Sequence, residues 1–169
     1  MILVLNHIEH KAYRNTHIGS RASIPFQEYI QMQMTKKYLD ELTYKVIGCA
    51  IEVHKQVGPG LLESVYERCF LKELQLRGIV YQSQVWAPLE YKGLELDIEL
   101  RLDVLVEDIL CVELKAQEGL LPIHDAVLLS YMQMPQKPKG ILINFHCVNI
   151  FKYGQRTLVN SLFSLLPDE

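Results

Sequence analysis

The stretch Leu94–Lys115, LELDIELRLDVLVEDILCVELK, decides the fold of this chain. From Leu94 to Val104 apolar residues alternate with charged ones without a break. Strict alternation of this length is typical of a half-buried β-strand. A second apolar run follows a turn at Glu107 and Asp108 and ends at Lys115, so the stretch is predicted to form a β-hairpin.

Three charged residues of this hairpin, Asp103, Glu113 and Lys115, form one site only if the connection between the strands is irregular. Glu113 and Lys115 are two residues apart, so their side chains leave the same face. With a two-residue turn, Asp103 would pair with Val112 and point away from Glu113. A three-residue connection over residues 107–109, or one bulged residue, sets Asp103 opposite Glu113. We therefore predict such a connection.

Two carboxylates beside one ammonium group are the arrangement that a metal-dependent phosphodiesterase needs. Magnesium prefers oxygen ligands and keeps several waters, so Asp103 and Glu113, with the backbone carbonyl of Leu114, could bind it. Lys115 could orient a water molecule or neutralise charge in the transition state. The alternative is a surface strand whose Glu and Lys side chains lie in solvent.

The composition is that of one soluble globular domain, with 169 residues, 49% hydrophobic and 22% charged. No apolar run approaches the ~20 residues that span a bilayer, and the apolar start at Met1 is too short for a secretory signal, so we expect a cytoplasmic protein without a membrane partner. The net charge of −3 disfavours broad nonspecific nucleic-acid binding. The four cysteines are scattered singly, which favours buried thiols over disulfides or zinc ligands.

Residues 1–34 show no sustained period and are expected to form a poorly ordered or loosely docked extension, in which His7, His10 and His17 are solvated. Residues 35–169 are expected to form a single domain. Its predicted elements are a helix from Lys36 to Gly58, a helix from Leu62 to Gly78, a strand over 80–89, the hairpin, a helix over 121–134, strands over 140–145 and 148–152, and a terminal helix over 157–166. This order predicts an α/β fold with a mixed sheet flanked by helices.

Two segments together carry a family resemblance. Gly60–Tyr66, GLLESVY, resembles the motif of the GxxExxY protein family, and Asp103 with Glu113-Leu114-Lys115 resembles the signature of the PD-(D/E)XK nuclease superfamily. The resemblance extends from about Tyr38 to Arg156. It implies a restriction-endonuclease-like core of helix, three strands, helix and strand, here with an extra N-terminal helix.

The resemblance also implies a function and a set of site residues. It implies a Mg²⁺- or Mn²⁺-dependent nuclease acting on nucleic acid, DNA rather than RNA, with Glu63 joining Asp103, Glu113 and Lys115 as catalytic residues. The three carboxylates would be the metal ligands. Glu63 could instead interact with the helix dipole at the start of its helix. Residues proposed to contact the substrate are Arg101, Tyr131 and Tyr66, of which Tyr66 could equally serve in core packing.

One position departs from the family pattern. Val127 stands where related nucleases carry a glutamine, four residues before Tyr131, and the change removes a hydrogen-bonding group from that helix face. The alternative function is therefore a catalytically inactive binding or assembly module that keeps the nuclease fold. His54 and His124 could act as bases, although a lone histidine on a helix is more often structural.

Overall fold

The computed structural model describes residues 34–169, apart from the side chains of residues 87–91 and 95–100. The elements are α1 (Lys36–Val57), α2 (Glu63–Leu76), β1 (Tyr81–Tyr91), β2 (Leu94–Val106), β3 (Leu110–Lys115), α3 (Pro122–Gln133), β4 (Lys139–Asn144), α4 (Ile150–Tyr153), β5 (Gln155–Val159) and α5 (Ser161–Ser164). The three histidines of the expected extension lie outside the described residues. Within 34–169 no helix is both long enough and apolar enough to cross a membrane.

The strands form one mixed five-stranded sheet in the order β1-β2-β3-β4-β5. Neighbours are antiparallel except β3 and β4, which are parallel and are joined through α3. A parallel pair needs a long crossover connection, and the helix predicted over 121–134, which the structure has as α3, supplies it. The predicted fold class, a mixed sheet flanked by helices, is confirmed.

The hairpin of β2 and β3 has the irregular connection that the sequence predicted. Val106 pairs with Leu110, which leaves residues 107–109 as a three-residue connection. Glu107 and Asp108 have positive φ angles of 49° and 58°, and the Ile109 N–H donates to Val106 O at 3.0 Å. The first two residues thus make a tight turn with the twist that hairpins favour, and Ile109 is the additional residue.

Two apolar clusters cover the two faces of the sheet. The larger cluster joins α1 and α2 to side chains such as Val104, Val112 and Ile141, and the smaller one joins α3 to side chains such as Leu105 and Leu142. Both faces of β4 are buried, as its nearly continuous apolar sequence predicts. The sheet is therefore fixed on both faces, and the β2–β3 hairpin lies in its interior, between β1 and β4.

The C-terminal region differs from the prediction in two places. Residues 148–152 were predicted as a strand, but Ile150–Tyr153 is a short helix that begins where the Asn149 side chain accepts the Lys152 N–H at 2.9 Å. The helix predicted over 157–166 is only Ser161–Ser164, since residues 155–159 pair with β4 as strand β5. In both places an asparagine cap sets the start of the helix, a local signal that apolar content does not carry.

Candidate active site

Asp103 and Glu113 lie one step beyond the last paired residues of the β2–β3 hairpin, Val104 and Val112. At this step the Asp103 carboxylate accepts the backbone N–H of Leu114 at 2.9 Å. The side-chain alternation of β2 also changes here: Val104 contacts the cluster under α1 and α2, whereas Leu102 contacts the cluster under α3. The two carboxylates are thus brought together where the strands separate.

Glu113 is a buried carboxylate, with 6% of the residue exposed. Burial, followed by the negative charge of Asp103, raises the pKa of Glu113 to about 7, against the opposing influence of the Lys115 ammonium group. One oxygen, Oε1, accepts from Lys115 Nζ at 2.7 Å. The other, Oε2, is buried with no hydrogen-bond partner among residues 34–169. An acceptor of this kind carries a desolvation cost that a ligand could offset.

Lys115 lies directly beside Glu113 with its ammonium group half enclosed. Its Nζ donates to Glu113 Oε1 and, at 2.9 Å, to the Leu114 carbonyl. Burial alone would lower the pKa of Lys115, but the hydrogen bond and charge of Glu113, with the charges of Glu63 and Asp103, raise it. The side chain is therefore a stable cation at neutral pH.

Asp103 is also held in a less polar environment than a surface aspartate. Burial raises the pKa of Asp103, and the Leu114 N–H and the positive charges of Lys115 and Arg101 only partly offset it. Tyr131 of α3 lies close by: burial raises the pKa of its phenol, and the charges of Glu113 and Asp103 raise it further. Of the sequence-predicted residues, Arg101 and Tyr131 thus adjoin the two carboxylates.

Gln84 of β1 is a neighbour of this site that the sequence analysis missed. The pairs on either side of it set Gln84 across from Asp103, its side-chain amide donates to Glu67 of α2, and its proximity helps to lower the pKa of Asp103 against the larger effect of burial. Its φ of 55° is unusual for a residue other than glycine and costs roughly 1–2 kcal/mol. Nothing in a period-two strand sequence signals such a conformation.

Glu63 is the first residue of α2 and is solvent-exposed. Its negative charge contributes to the raised pKa of Glu113, after burial and Asp103, so the site lies within electrostatic reach. The predicted set of three carboxylate ligands is nevertheless not gathered, because no three His, Cys, Asp or Glu side chains of the described chain are grouped closely enough to hold a metal ion. In this structure Glu63 has the position that interacts with the helix dipole.

Tyr66 does not line the site, since it is fully buried. Its ring stacks on Phe145 with the ring centres 4.5 Å apart. Its hydroxyl donates to the Gly58 carbonyl at 2.7 Å and accepts the Leu61 N–H at 3.1 Å. Gly60, with φ of 100°, forms the bend between these two contacts. The substrate contact predicted for Tyr66 is contradicted by this burial, and the segment Gly60–Tyr66 fixes the loop between α1 and α2.

Both candidate histidine bases make structural contacts. His54 Nε2 lies 2.7 Å from the Cys147 carbonyl oxygen, and His124 Nδ1 accepts the Leu121 N–H at 2.9 Å, at the start of α3.

The four cysteines are free thiols, and burial raises the pKa of Cys111 to about 12, which keeps it a weak nucleophile.

The sequence pattern of the PD-(D/E)XK nuclease superfamily matches residues 40–157, more than half of the chain. The chain belongs to the PD-(D/E)XK nuclease superfamily. The match covers every element from α1 to β5 that surrounds Asp103 and Glu113, whereas the narrower GxxExxY assignment stays a prediction. No curated protein and no solved structure shows significant similarity to the chain.

Members of a PD-(D/E)XK superfamily typically use a divalent metal, and the residues of this chain fit one at the hairpin. The fit rests on the buried, unpartnered Oε2 of Glu113 and on the nearby carboxylate of Asp103, whose negative charge, after burial, helps to raise the pKa of Glu113. Both are the hard oxygen donors that Mg²⁺ and Mn²⁺ prefer. A cation between them would also remove the electrostatic repulsion that raises the pKa of Glu113.

Proposed function

We propose that this chain is a metal-dependent nuclease that hydrolyses phosphodiester bonds, with DNA as its substrate. The observation that carries the proposal is the Asp103–Glu113 pair at the point where β2 and β3 separate, with Lys115 bonded to Glu113. Membership of the superfamily makes a nucleic-acid substrate the natural expectation.

In the proposed reaction Asp103 and Glu113 would hold a Mg²⁺ or Mn²⁺ ion, which when bound would supply Lewis-acid activation of the phosphate and of a water molecule. Lys115 keeps its proton and neutralises negative charge that develops on the phosphate oxygens in the transition state. Its hydrogen bonds to Glu113 and to the Leu114 carbonyl fix the ammonium group in place before substrate binds. Tyr131 borders the site and adds a hydroxyl donor for the phosphate.

The test is cleavage of labelled DNA by purified protein with Mg²⁺ or Mn²⁺ and with EDTA. Glu113→Gln and Lys115→Met are expected to lower the single-turnover rate at least about a hundredfold. The matched control is Glu118→Gln, an exposed glutamate on the loop after β3, which is expected to cleave like the original protein. Cleavage that survives unchanged in Glu113→Gln and Lys115→Met would refute the proposal, because a contaminant would then explain it.

A second candidate is a binding or assembly module that keeps the nuclease fold without catalysis. Val127, one helical turn before Tyr131, favours it because that turn offers an apolar side chain instead of an amide. The ungrouped position of Glu63 favours it too. Calorimetry separates the two functions: heat of Mn²⁺ binding that disappears in Asp103→Ala supports the nuclease, and the absence of any binding supports the module.

A further inference from the structure

Trp86, the single tryptophan of the chain, is exposed on β1 beside an arginine. It pairs with Arg101 across the β1–β2 ladder, and 54% of its surface remains open to solvent. The Arg101 guanidinium carbon lies 5.7 Å from the centre of the indole ring. Isolated exposed apolar side chains are ordinary on protein surfaces, so exposure alone does not indicate a binding site. The position of this pair relative to Asp103 and Glu113 is the additional observation.

The pair borders the candidate active site. Arg101 precedes Asp103 by two residues on β2, which separates their backbones by roughly 7 Å. Burial raises the pKa of Asp103, and the charge of Arg101 is among the influences that lower it, so the guanidinium lies within electrostatic reach of the carboxylate. A ligand whose phosphate meets a cation held at Asp103 would therefore have its next nucleotide near the Arg101–Trp86 pair.

The charge of the chain limits how it could hold nucleic acid. Its 20 acidic residues outnumber its 17 lysines and arginines. Three basic side chains that could contact phosphates are already paired with carboxylates: Lys137 with Asp108, Lys139 with Asp40, and Arg156 with Asp125. Binding to a duplex relies mainly on many phosphate contacts. Stacking of bases on aromatic rings needs fewer cations, and it requires bases whose faces are free.

We propose that Trp86 stacks on an unpaired base of the substrate while Arg101 contacts the adjacent phosphate, so that the chain acts on single-stranded rather than duplex nucleic acid. This inference rests on the proposed function, because it assumes that nucleic acid is the ligand of the Asp103–Glu113 site. In a duplex both faces of each base are covered by its neighbours, and the indole would have nothing to stack on.

The test is a binding measurement with Ca²⁺ in place of Mg²⁺, which gives the carboxylates and the phosphate a cation with oxygen ligands, and a gel checks that the oligonucleotide stays intact. Because Trp86 is the sole tryptophan, its fluorescence reports on this position alone. A single-stranded oligothymidine is expected to quench it, and a blunt duplex hairpin of equal length is not. By anisotropy of the labelled oligonucleotide, Trp86→Ala is expected to bind at least about tenfold more weakly, and Trp86→Phe to retain most of the affinity. Tyr44→Ala, which removes an exposed aromatic ring from α1, is the matched control and should change nothing.

Three results would overturn the inference: equal affinity of Trp86→Ala and the original protein, equal or tighter binding of the duplex, or no binding of either oligonucleotide. If Trp86→Ala fails to fold, as circular dichroism would reveal, the fluorescence of the original protein still decides through the comparison of single strand with duplex. Metal-dependent cleavage without any contribution of Trp86 would leave the nuclease proposal standing. Trp86-dependent binding without cleavage would support stacking of a base on Trp86 and would refute only the proposal that the chain is a nuclease.

Discussion

Replacing Glu113 by glutamine should stabilise the metal-free protein above neutral pH. Glu113 ionises near pH 7 in the folded chain, against a reference value of 4.5, because burial and Asp103 disfavour its charge. A carboxyl whose pKa is raised by folding is neutral in both states below pH 4.5, so it then costs no stability. As the pH rises from 4.5 to 7 the unfolded chain loses the proton first, and stability falls.

The size of the effect follows from the two pKa values. Each pH unit between them corresponds to about 1.4 kcal/mol, so ionised Glu113 costs the folded state about 3 kcal/mol at pH 8.5. Glutamine keeps the shape and an acceptor for Lys115 but carries no charge, and the pKa of about 7 already includes the hydrogen bond that Lys115 donates to ionised Glu113. The expected gain for Glu113→Gln is therefore about 3 kcal/mol at pH 8.5, shrinking to about zero by pH 4.5.

Urea unfolding in EDTA at pH 4.5 and 8.5 measures this difference. Glu118→Gln is the control, since residue 118 is exposed and its neutralisation should leave the pH dependence of stability unchanged. With Mn²⁺ at pH 8.5 the original protein should gain stability and Glu113→Gln should not, because a ligand that binds only the folded state stabilises it. The reasoning would be refuted if Glu113→Gln were less stable than the original protein at pH 8.5. It would also be refuted if the two proteins differed in free energy of unfolding by the same amount at both pH values.

Three further substitutions test other parts of the structure. Tyr66→Phe should lower the free energy of unfolding by about 1–2 kcal/mol while leaving the cleavage rate of folded protein unchanged, because it removes the hydroxyl contact to Gly58 and keeps the ring. Gln84→Gly should be about 1 kcal/mol more stable than Gln84→Ala in urea unfolding, since φ is 55° at this residue. Val127→Gln should raise the single-turnover cleavage rate, because it places an amide one helical turn from Tyr131. An unchanged rate would show that residue 127 does not limit cleavage.

The sequence predicts the β2–β3 hairpin well, because side-chain alternation and the number of residues in the connection constrain it together. Strict alternation locates β2, and the requirement that Asp103 and Glu113 face each other leads to an odd connection, which the structure has at residues 107–109. The prediction succeeds because side chains of a strand alternate strictly between two faces, so a shift of one residue moves a side chain to the opposite face. The neighbourhood of the two carboxylates was therefore predictable from two short segments.

Other features of the site depend on how elements are oriented, which a linear pattern does not encode. The distance from Glu63 to the hairpin follows from the angle of α2 against the sheet, and no spacing in the sequence fixes that angle. Tyr66 carries the same apolar signal whether it packs on Phe145 or borders a cleft. The left-handed φ of Gln84 accompanies its hydrogen bond to Glu67, and glutamine has no intrinsic preference for this conformation.

Three unfavourable features of the molecule lie together at this corner. The ionisation of Glu113, the unpartnered Glu113 Oε2 and the backbone of Gln84 each cost on the order of 1–3 kcal/mol, and all lie within β1 to β3 around Asp103. The apolar clusters on both faces of the sheet can sustain these costs. A surface strand with solvated charges would carry none of them, because its carboxylates would ionise freely. The local instability is therefore an argument for a site that is completed by a ligand, and it predicts that stabilising substitutions at Glu113 will be the ones that abolish activity.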